Sequence, residues 1–529
     1  MRRPHLRLGA RLRRRLGRIR RWRPSPRLPV IVLLSAAIGG AAWQARVDEA
    51  RRATAEEAAP APAEGGDAGV DTMPALASGD ALTSTWYCAA GTGDEGGMAD
   101  HTIAVFNPSD RELDATVTVY PGVLNSSSPT TSESAPESQS GAEPGETESG
   151  EIESGEAESS AGAVSGPVER RLRLPAGQAV ELRLGDVVAA PLVAALVEAH
   201  DAGVAVEHRV QGPHGEDAGP CAPTAAPEWH MPWGATTRDA REVLVLFNPF
   251  PTDATVDVVF ETDDGPREPV RYQGFPVAAG SVVGVDLGDD VTRKAHVSAT
   301  LRVRTGRVVV ERLQAFDGSL GPEGLSMALG VPGASPRWAF ATGIVEEGRA
   351  EKIVVYNPSP QRAEVEVSVL SAGDGPLPQP FHLSVPSGGV SAIDYRQEDR
   401  IARGTGYATI VDATNGVPVV AERVITAAGD ERRDITAGPG SVVAARTWTV
   451  PSAAERLIVF NPDDERSVRV SVPGERVEVA PGGRATLRGA ASVEADAPVV
   501  VERRLVDDGL PVAIGVGIPS VEGSTPLSP

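Results

Sequence analysis

Four glutamates recur at the same place in the sequence, each directly after a Val-rich segment. They occur in GVAVEHRV, GRVVVERLQ, GVPVVAERVI and APVVVERRL, as Glu207, Glu311, Glu422 and Glu502. A base follows each of them, His208 in the first segment and then Arg312, Arg423 and Arg503. Repeated acids could line a sugar or cation site, or they could form ion pairs that close a strand end. Because neighbouring residues of a strand point to opposite faces, we expect each acid and its adjacent base to have different partners, and we predict a structural role.

Other signatures of chemistry are missing from the sequence. It contains no P-loop, no Rossmann glycine pattern, no GxSxG and no HExxH. The eight His residues are scattered, and His208, His214 and Cys221 are too few ligands to predict a metal site. No repeat stands apart from the others, as a catalytic repeat would. The sequence therefore predicts a non-enzymatic protein without a metal or cofactor.

The chain has two cysteines, Cys88 and Cys221. The residues that correspond to Cys88 in the other repeats are all apolar, which indicates an inward position: Met231, Phe340 and Val450. In an exported protein such a pair is expected to form a disulfide. The loop that it closes is long, and the loop-entropy model gives a stabilisation of roughly 4–5 kcal/mol as an upper figure.

The acids belong to a larger unit that occurs four times. Each unit opens with a tryptophan, at Trp86, Trp229, Trp338 and Trp448. A short apolar run then ends on Asn-Pro, at Asn107-Pro108, Asn248-Pro249, Asn357-Pro358 and Asn461-Pro462. Pro has no N–H and cannot sit within a central strand, and Asn can bond nearby backbone groups. We therefore predict that Asn-Pro is a strand stop and that the tryptophans are buried in the core.

The fold class follows from the content of one unit. Alternating runs such as TVTVY and VEVSVL place Val on one face and polar residues on the other, as in a half-buried antiparallel sheet. About seven strands separated by turn signals fit each unit, which is typical of a β-sandwich. The prediction is an all-β protein made of tandem immunoglobulin-like β-sandwich repeats. The alternative is a β-propeller in which each unit supplies two blades.

The N-terminal region predicts export and a membrane anchor. The first 27 residues hold twelve Arg and no acid, so the remainder carries a charge of 38 − 72 = −34, which disfavours nucleic acid as a partner. Residues 28–45 are uncharged and apolar and predict a transmembrane helix with its N-terminus in the cytoplasm. A cleaved secretory signal is the competing interpretation.

The predicted organisation has seven segments. They are a cytoplasmic Arg-rich segment at 1–27, the apolar segment at 28–45, a disordered linker at 46–83, and four β-sandwich repeats at 84–226, 227–335, 336–445 and 446–529. The first repeat includes an acidic insert at 125–167, which is rich in Ser and Glu and lacks Lys and Arg, so we predict that it is disordered.

The repeat motifs resemble those of an uncharacterised bacterial surface family, often actinobacterial and described as a domain of unknown function. Its repeat runs W-x-x-A-E-G, then a strand into N-P, then a P-x-x-S/G turn, V-V-x-E-R and G-V-x-x-P. Here WYCAAGTG, AVFNPSD, LPAGQAV, VVVERLQ and ALGVPGASPRW are similar, over about residues 84–520. The chain departs from the pattern at Ala90 and Thr342, where Glu is usual. The resemblance implies an exported, envelope-associated location and no known activity.

The functional expectation is therefore a membrane-anchored, extracytoplasmic spacer and interaction module. Its expected partner is cell-wall glycan or another envelope protein. The alternative is an extracytoplasmic glycan hydrolase or transferase that uses acidic residues at a junction between repeats.

Overall fold

The computed structural model describes residues 72–79, 81–125, 166–200, 203–346, 348–371, 377–428, 433–451, 456–507 and 510–527. The predicted segments at 1–27 and 28–45, the spacer up to residue 71 and residues 126–165 of the acidic insert lie outside this part of the chain. A search of the described residues finds no helix with the length and apolar character needed to span a bilayer.

The predicted all-β class is confirmed. The described residues form strands and four short 3-10 turns, at Leu184–Asp186, Val270–Tyr272, Leu287–Asp289 and Tyr395–Gln397. The strands build several sheets, none of which closes on itself. Burial follows the sequence alternation, as in the strand Ala254–Thr262, where every second residue is buried.

The first two repeats contribute seventeen strands. Repeat 1 contains β1 (Ser84–Cys88), β2 (Asp100–Phe106), β3 (Leu113–Asn125), β4 (Val168–Leu174), β5 (Ala179–Arg183), β6 (Leu192–Ala199), β7 (Ala205–Gly212) and β8 (Gly215–Pro220). Repeat 2 contains β9 (Glu228–Met231), β10 (Ala240–Asn248), β11 (Ala254–Thr262), β12 (Gly265–Arg267), β13 (Phe275–Val277), β14 (Ser281–Asp286), β15 (Val297–Thr305), β16 (Val309–Asp317) and β17 (Glu323–Leu329).

The last two repeats follow the same plan. Repeat 3 contains β18 (Arg337–Ile344), β19 (Arg349–Tyr356), β20 (Ala363–Ser371), β21 (Phe381–Val385), β22 (Val390–Asp394), β23 (Gly406–Ala413), β24 (Val420–Ala428) and β25 (Arg433–Pro439). Repeat 4 contains β26 (Val443–Thr449), β27 (Arg456–Phe460), β28 (Val468–Val472), β29 (Glu475–Val479), β30 (Arg484–Arg488), β31 (Ser492–Asp507), β32 (Leu510–Val516), β33 (Ile518–Pro519) and β34 (Ser524–Pro526).

The strands of each repeat pair with one another in two antiparallel sets. In repeat 3 one sheet has the order β18-β23-β20-β21 and the other β22-β19-β24-β25. Repeats 1 and 2 use the same order, although β1-β6-β3-β4 of repeat 1 and β14-β10-β16-β17 of repeat 2 join into one eight-stranded sheet. In repeat 4 the long strand β31 takes part in both sets. Every sheet thus draws strands from both halves of its repeat. The alternative prediction is a β-propeller with two four-stranded blades per repeat. It would need a different strand order, in which each blade is built from consecutive strands.

The repeats pack against one another in a closed order. Strand β8 of repeat 1 contacts β17 of repeat 2, β17 contacts β25, β25 contacts β32, and β32 contacts β8. These four strands surround an axial cavity of about 60 Å³. Repeats 1 and 2 are joined further, because β3 pairs in parallel with β14 from Gly122 to Asn125. All four repeats lie within one compact unit, Asp67–Pro529.

The residues before β1 differ from the prediction of a disordered linker that extends to residue 83. Met73, Ala75 and Leu76 are buried. The N–H of Leu76 donates to the carbonyl of Pro519 at 2.8 Å, and its carbonyl accepts from Val521 at 3.3 Å. Apolar side chains at alternate positions let this stretch pack beside the C-terminal strands, so part of the predicted linker belongs to the folded unit.

Candidate functional site

The four repeated glutamates lie within the second sheet of their repeats, on β7, β16, β24 and β31. All four are buried, with exposed fractions of 0% for Glu207, 0% for Glu311, 1% for Glu422 and 0% for Glu502. The bases beside them are also buried: His208, Arg312, Arg423 and Arg503. Burying a charge requires a close counter-charge, and the structure supplies one from another repeat.

The acids and bases pair between repeats and form a cycle. Arg312 Nη2 of repeat 2 lies 2.6 Å from Glu422 Oε1 of repeat 3. Arg423 Nη1 of repeat 3 lies 3.1 Å from Glu502 Oε2 of repeat 4. Arg503 Nη1 of repeat 4 lies 2.8 Å from Glu207 Oε2 of repeat 1, and His208 Nε2 of repeat 1 lies 3.5 Å from Glu311 Oε1 of repeat 2. We call these four contacts the junction cycle.

The segments after Trp229 and Trp338 hold members of the junction cycle in place. Arg312 donates to the carbonyl of Trp233, and its guanidinium lies 5.1 Å from the centre of that ring. Arg423 donates to the carbonyl of Thr342, whose N–H donates to Glu502 at 2.7 Å. The backbone of the W-x-x-x-x-G stretch therefore orients the guanidinium groups of Arg312 and Arg423 toward the next repeat.

The junction between repeats 1 and 2 is chemically different, because it has histidines where the others have Arg and Glu. His101 Nε2 and His208 Nδ1 are 2.9 Å apart, and His101 Nδ1 lies 2.9 Å from the carbonyl of Val193. Burial lowers the pKa of His101 to about 4 and lowers that of His208 well below its ordinary value. Burial raises the pKa of Glu311 to about 8, although Ala89 and Ala90 donate their N–H groups to it. Burial therefore favours the neutral forms of all three side chains at this junction.

A second set of junction acids was missed by the sequence analysis. Glu242 and Glu351 are each 1% exposed, and burial raises their pKa values to about 8 and about 7. Tyr407 donates to Glu351 Oε2 at 2.9 Å, whereas neither oxygen of Glu242 has a hydrogen-bond partner. A sequence signal was available, since each lies six residues before the Asn of Asn-Pro, where repeat 1 has His101 and repeat 4 has Glu455.

The arrangement determines what chemistry these acids can perform. A raised pKa is common among general acids, but the side chains of the junction cycle are enclosed between packed sheets. A catalytic acid must come within hydrogen-bond reach of its substrate. The described residues also contain no group of three or more His, Cys, Asp or Glu placed to hold a metal ion.

The four repeat tryptophans are buried between the two sheets of their repeats. Their exposed fractions are 2% for Trp86, 1% for Trp229, 1% for Trp338 and 0% for Trp448. Each indole N–H donates to a backbone carbonyl a few residues before the junction acid: Val204, Val308 and Val419 directly precede the Glu-bearing strand, and Val499 lies within β31. The tryptophan therefore ties the first strand of its repeat to the strand that carries the junction acid.

The Asn-Pro pairs lie where the second strand of each repeat ends. Asn357 is fully buried, and its Nδ2 donates to the carbonyls of Gln361 at 2.7 Å and Val385 at 3.1 Å. Its Oδ1 accepts from the N–H of Ser359 at 3.0 Å. Equivalent bonds are made by Asn107, Asn248 and Asn461. Pro108, Pro249, Pro358 and Pro462 follow them in the sequence. The Asn side-chain amides thus form hydrogen bonds within the turn that follows each strand end.

The predicted disulfide between Cys88 and Cys221 is present. Both residues are fully buried, and they join β1 to the segment directly after β8. Cys221 is therefore not a metal ligand. His214, which the sequence places near it, lies in the turn between β7 and β8.

The axial cavity contains one more buried acid. Asp217 on β8 accepts from the N–H of Met327 at 3.0 Å and from Thr436 Oγ1 at 3.2 Å, so it links strands of three repeats. Burial raises its pKa to about 8. Residues 72–74 lie at the cavity wall beside β8, β17, β25 and β32 of the four repeats. The contacts at the axial cavity therefore hold the repeats together.

Comparisons with known proteins identify a family without an assigned function. Residues 186–498 match a family described as a family of unknown function (DUF5719). No curated protein matches the chain. A solved structure described as the crystal structure of Thermotoga maritima 1070 shares 16% identity over 20% of this chain and 93% of its own, with a TM-score of 0.18.

Proposed function

The chain belongs to the DUF5719 family of unknown function, and from that premise we propose that it is a non-enzymatic, membrane-anchored protein of the cell envelope. It acts as a spacer and interaction module, and its partner is cell-wall glycan or another envelope protein. In this proposal residues 28–45 span the membrane with the N-terminus in the cytoplasm, and the bulk is extracytoplasmic. Each repeat is an immunoglobulin-like β-sandwich.

The junction cycle is the observation that carries the proposal. Its acids, which were the best catalytic candidates of the sequence, are 0–1% exposed and are paired with bases of the neighbouring repeats. Such pairing fixes four repeats in one arrangement and leaves the loops of each repeat on the outside. A rigid body with several outward loops suits a role in binding and spacing.

The glycan-active alternative places catalysis on acids at a repeat junction. The raised pKa values of Glu242, Glu311 and Glu351 are the feature that favours it. Their enclosure disfavours it, because a polymer cannot reach them without separation of the repeats. The two hypotheses differ in a measurable way, since an active site resides in one junction whereas a structural cycle uses all four.

Cosedimentation with isolated cell-wall polymer tests the proposed partner. The full-length chain, purified in detergent, is sedimented with the polymer over a range of salt concentrations. Saturable cosedimentation supports glycan binding. If the chain stays in the supernatant, glycan is excluded as the partner, and in-cell crosslinking then tests the envelope-protein alternative.

Single Glu→Gln changes at positions 207, 311, 422 and 502 test the enzyme alternative. The structural proposal predicts that the changes at Glu207, Glu422 and Glu502, which pair with arginines, lower stability, and that Glu311→Gln does not, because burial already favours the neutral form of Glu311. It also predicts that none of the four abolishes turnover of envelope glycan while the fold is intact. One variant that folds normally, yet eliminates a glycan-cleaving or glycan-transferring activity of the wild type, would contradict the non-enzymatic proposal.

A further inference from the structure

The side chains that join repeats 1 and 2 form a continuous chain of polar contacts across the junction. His101 on β2 and His208 on β7 belong to repeat 1, and Glu311 on β16 belongs to repeat 2. All three are buried, with exposed fractions of 0%, 1% and 0%. In the other three repeats, Glu and Arg take the places of His101 and His208. We call His101, His208 and Glu311 the histidine cluster.

The hydrogen bonds of the histidine cluster determine where its protons lie. The carbonyl of Val193 can only accept, so His101 Nδ1, which lies 2.9 Å away, carries a proton. A neutral His101 then has a bare Nε2, which accepts from the Nδ1–H of His208 at 2.9 Å. A neutral His208 in turn has a bare Nε2. Both imidazoles are thus fixed as the Nδ1–H tautomer.

One further proton lies between His208 and Glu311. His208 Nε2 and Glu311 Oε1 are 3.5 Å apart, and the described residues offer neither atom another hydrogen-bond partner. Ala89 and Ala90 donate their N–H groups to the other carboxyl oxygen, Oε2. Two bare lone pairs that face each other in a desolvated place repel, so one of the two atoms holds a proton. Whichever atom holds it, the histidine cluster has three protons and no net charge.

The charges nearest to the histidine cluster are already paired. Among the described residues, Asp100 on β2 acts on the imidazole of repeat 1 beside it, and Arg503 on β31 acts on the second imidazole. Asp100 pairs with Arg183 at 2.7 Å, and Arg503 pairs with Glu207 at 2.8 Å. The segment after β1 and the strand β6 contribute backbone groups to the cluster. A proton gained or lost within the cluster therefore leaves a net charge in a desolvated place.

Proton counting predicts how this junction responds to pH. Burial lowers the pKa of His101 from 6.5 to about 4 and raises that of Glu311 from 4.5 to about 8, so the closed cluster keeps its protons between these limits. When the junction opens, the hydrated imidazoles gain protons below pH 6.5, and the carboxyl group loses its proton above pH 4.5. The opened junction thus holds about three protons at pH 6.5, about four at pH 5 and about two at pH 8. Acid favours opening through the imidazoles, and alkali favours it through Glu311.

We propose that the histidine cluster is a pH-sensitive latch that holds repeats 1 and 2 together most tightly near pH 6.5 and loosens selectively in mild acid. The guanidinium groups in the place of His208 at the other junctions do not titrate in this range. Burial raises the pKa values of Glu242 and Glu351, so acid stabilises the closed form of the junctions that contain them. The latch goes beyond the proposed spacer function and does not depend on it.

Amide hydrogen exchange of the full-length chain in detergent at pH 5, 6.5 and 8 tests the proposal. After correction for intrinsic exchange rates, protection in β2 and β7 reports opening of this junction, and protection in β19 and β24 provides the reference. The opening equilibrium is expected to rise about tenfold from pH 6.5 to pH 5 and about fourfold from pH 6.5 to pH 8. Unchanged protection in β2 and β7, or an equal change in the reference strands, overturns the proposal.

Two variants separate the acid response from the alkaline response. The double variant His101→Glu/His208→Arg introduces the residue types of the other repeats, so it is expected to fold. It should lose the acid response, because an arginine then faces Glu311. Glu311→Gln imitates the protonated carboxyl group, so it should keep the acid response and lose the alkaline one. An acid response that persists in the double variant, or that disappears in Glu311→Gln, contradicts the latch.

Nitrogen-15 NMR of histidine-labelled protein checks the proton positions directly. Both rings of the histidine cluster are expected as neutral Nδ1–H tautomers at pH 6.5, and the variants His101→Gln and His208→Gln assign their signals. On acidification to pH 5 these two rings should remain neutral in the closed state, whereas the exposed ring of His382 becomes protonated. An Nε2–H tautomer at His101 would refute the chain of hydrogen bonds on which the latch depends.

Discussion

Arg312 and Glu422 illustrate how a buried ion pair fixes one repeat against the next. Both side chains are desolvated, and each is the main partner of the other. Replacing a buried pair by apolar residues is often neutral, whereas removing one partner leaves an uncompensated charge. The value of this pair lies in specifying which surfaces meet, because a misplaced repeat would leave both charges buried alone.

Substitution of one partner should therefore cost more than substitution of both. Arg312→Met is expected to lower the free energy of unfolding by about 3–5 kcal/mol, because it leaves Glu422 unpaired. The double change Arg312→Met/Glu422→Leu should recover most of that loss. Arg469→Ala, which removes an exposed pair with Asp496, should leave the free energy of unfolding nearly unchanged. Urea unfolding monitored by circular dichroism measures all three, and equal losses in the single and double variants would contradict this account.

Glu242 predicts a pH dependence of stability that a neutral substitution removes. Burial raises its pKa from 4.5 to about 8, so the folded chain holds this proton more tightly than the unfolded chain. The stabilisation is complete below pH 4.5 and is lost as the pH rises through 8. Glu242→Gln should leave stability near pH 5 unchanged and raise it at pH 8 by roughly 2–4 kcal/mol, on the scale of 1.36 kcal/mol per pKa unit.

Thermal unfolding of wild type and Glu242→Gln across this pH range provides the measurement. Glu228→Gln, at a partly exposed acid whose carboxylate contacts Arg302, serves as the control. Parallel pH profiles for wild type and Glu242→Gln would show that Glu242 does not cause the pH dependence of stability.

Strand ends are the elements that the sequence predicts most directly. Asn-Pro stops a strand because Pro lacks the N–H that a ladder needs, and this local chemistry can be recognised without knowing the fold. The amide of Asn357 then serves carbonyls of its own corner. Local signals of this kind also identify the inward cysteines and tryptophans. These local signals do not indicate which repeats pack against one another.

Asn357→Ala should destabilise repeat 3 by about 2–4 kcal/mol, because it leaves buried backbone groups without partners. Asn415→Ala is the matched control, since this Asn also bonds to backbone groups but lies at an exposed turn, and it should cost less than about 1 kcal/mol. Chemical denaturation gives the two values. Similar losses for both variants would mean that the hydrogen bonds of buried Asn357 stabilise the fold no more than those of exposed Asn415.

At the scale of the whole molecule, the sequence predicts repeats but not their closed order. A Glu-Arg dipeptide in each repeat is compatible with an open array, in which the first and last repeats never meet. In the structure the distance between Arg503 and Glu207 is set by the angle between successive repeats, which no local motif encodes. The same limit explains why the sequence analysis could name the acids yet could not assign their partners.

The junction cycle predicts that a substitution in repeat 4 destabilises repeat 1, although the two repeats are distant in sequence. Arg503→Met removes the partner of Glu207 and should open the junction between the last and first repeats. Amide hydrogen exchange should then accelerate in β31 and β32 and also in β7 and β8, because β32 and β8 pack together. The junctions of repeat 2 should respond less. In an open array the effect would stay within repeat 4, so unchanged exchange in β7 and β8 would refute the closed arrangement.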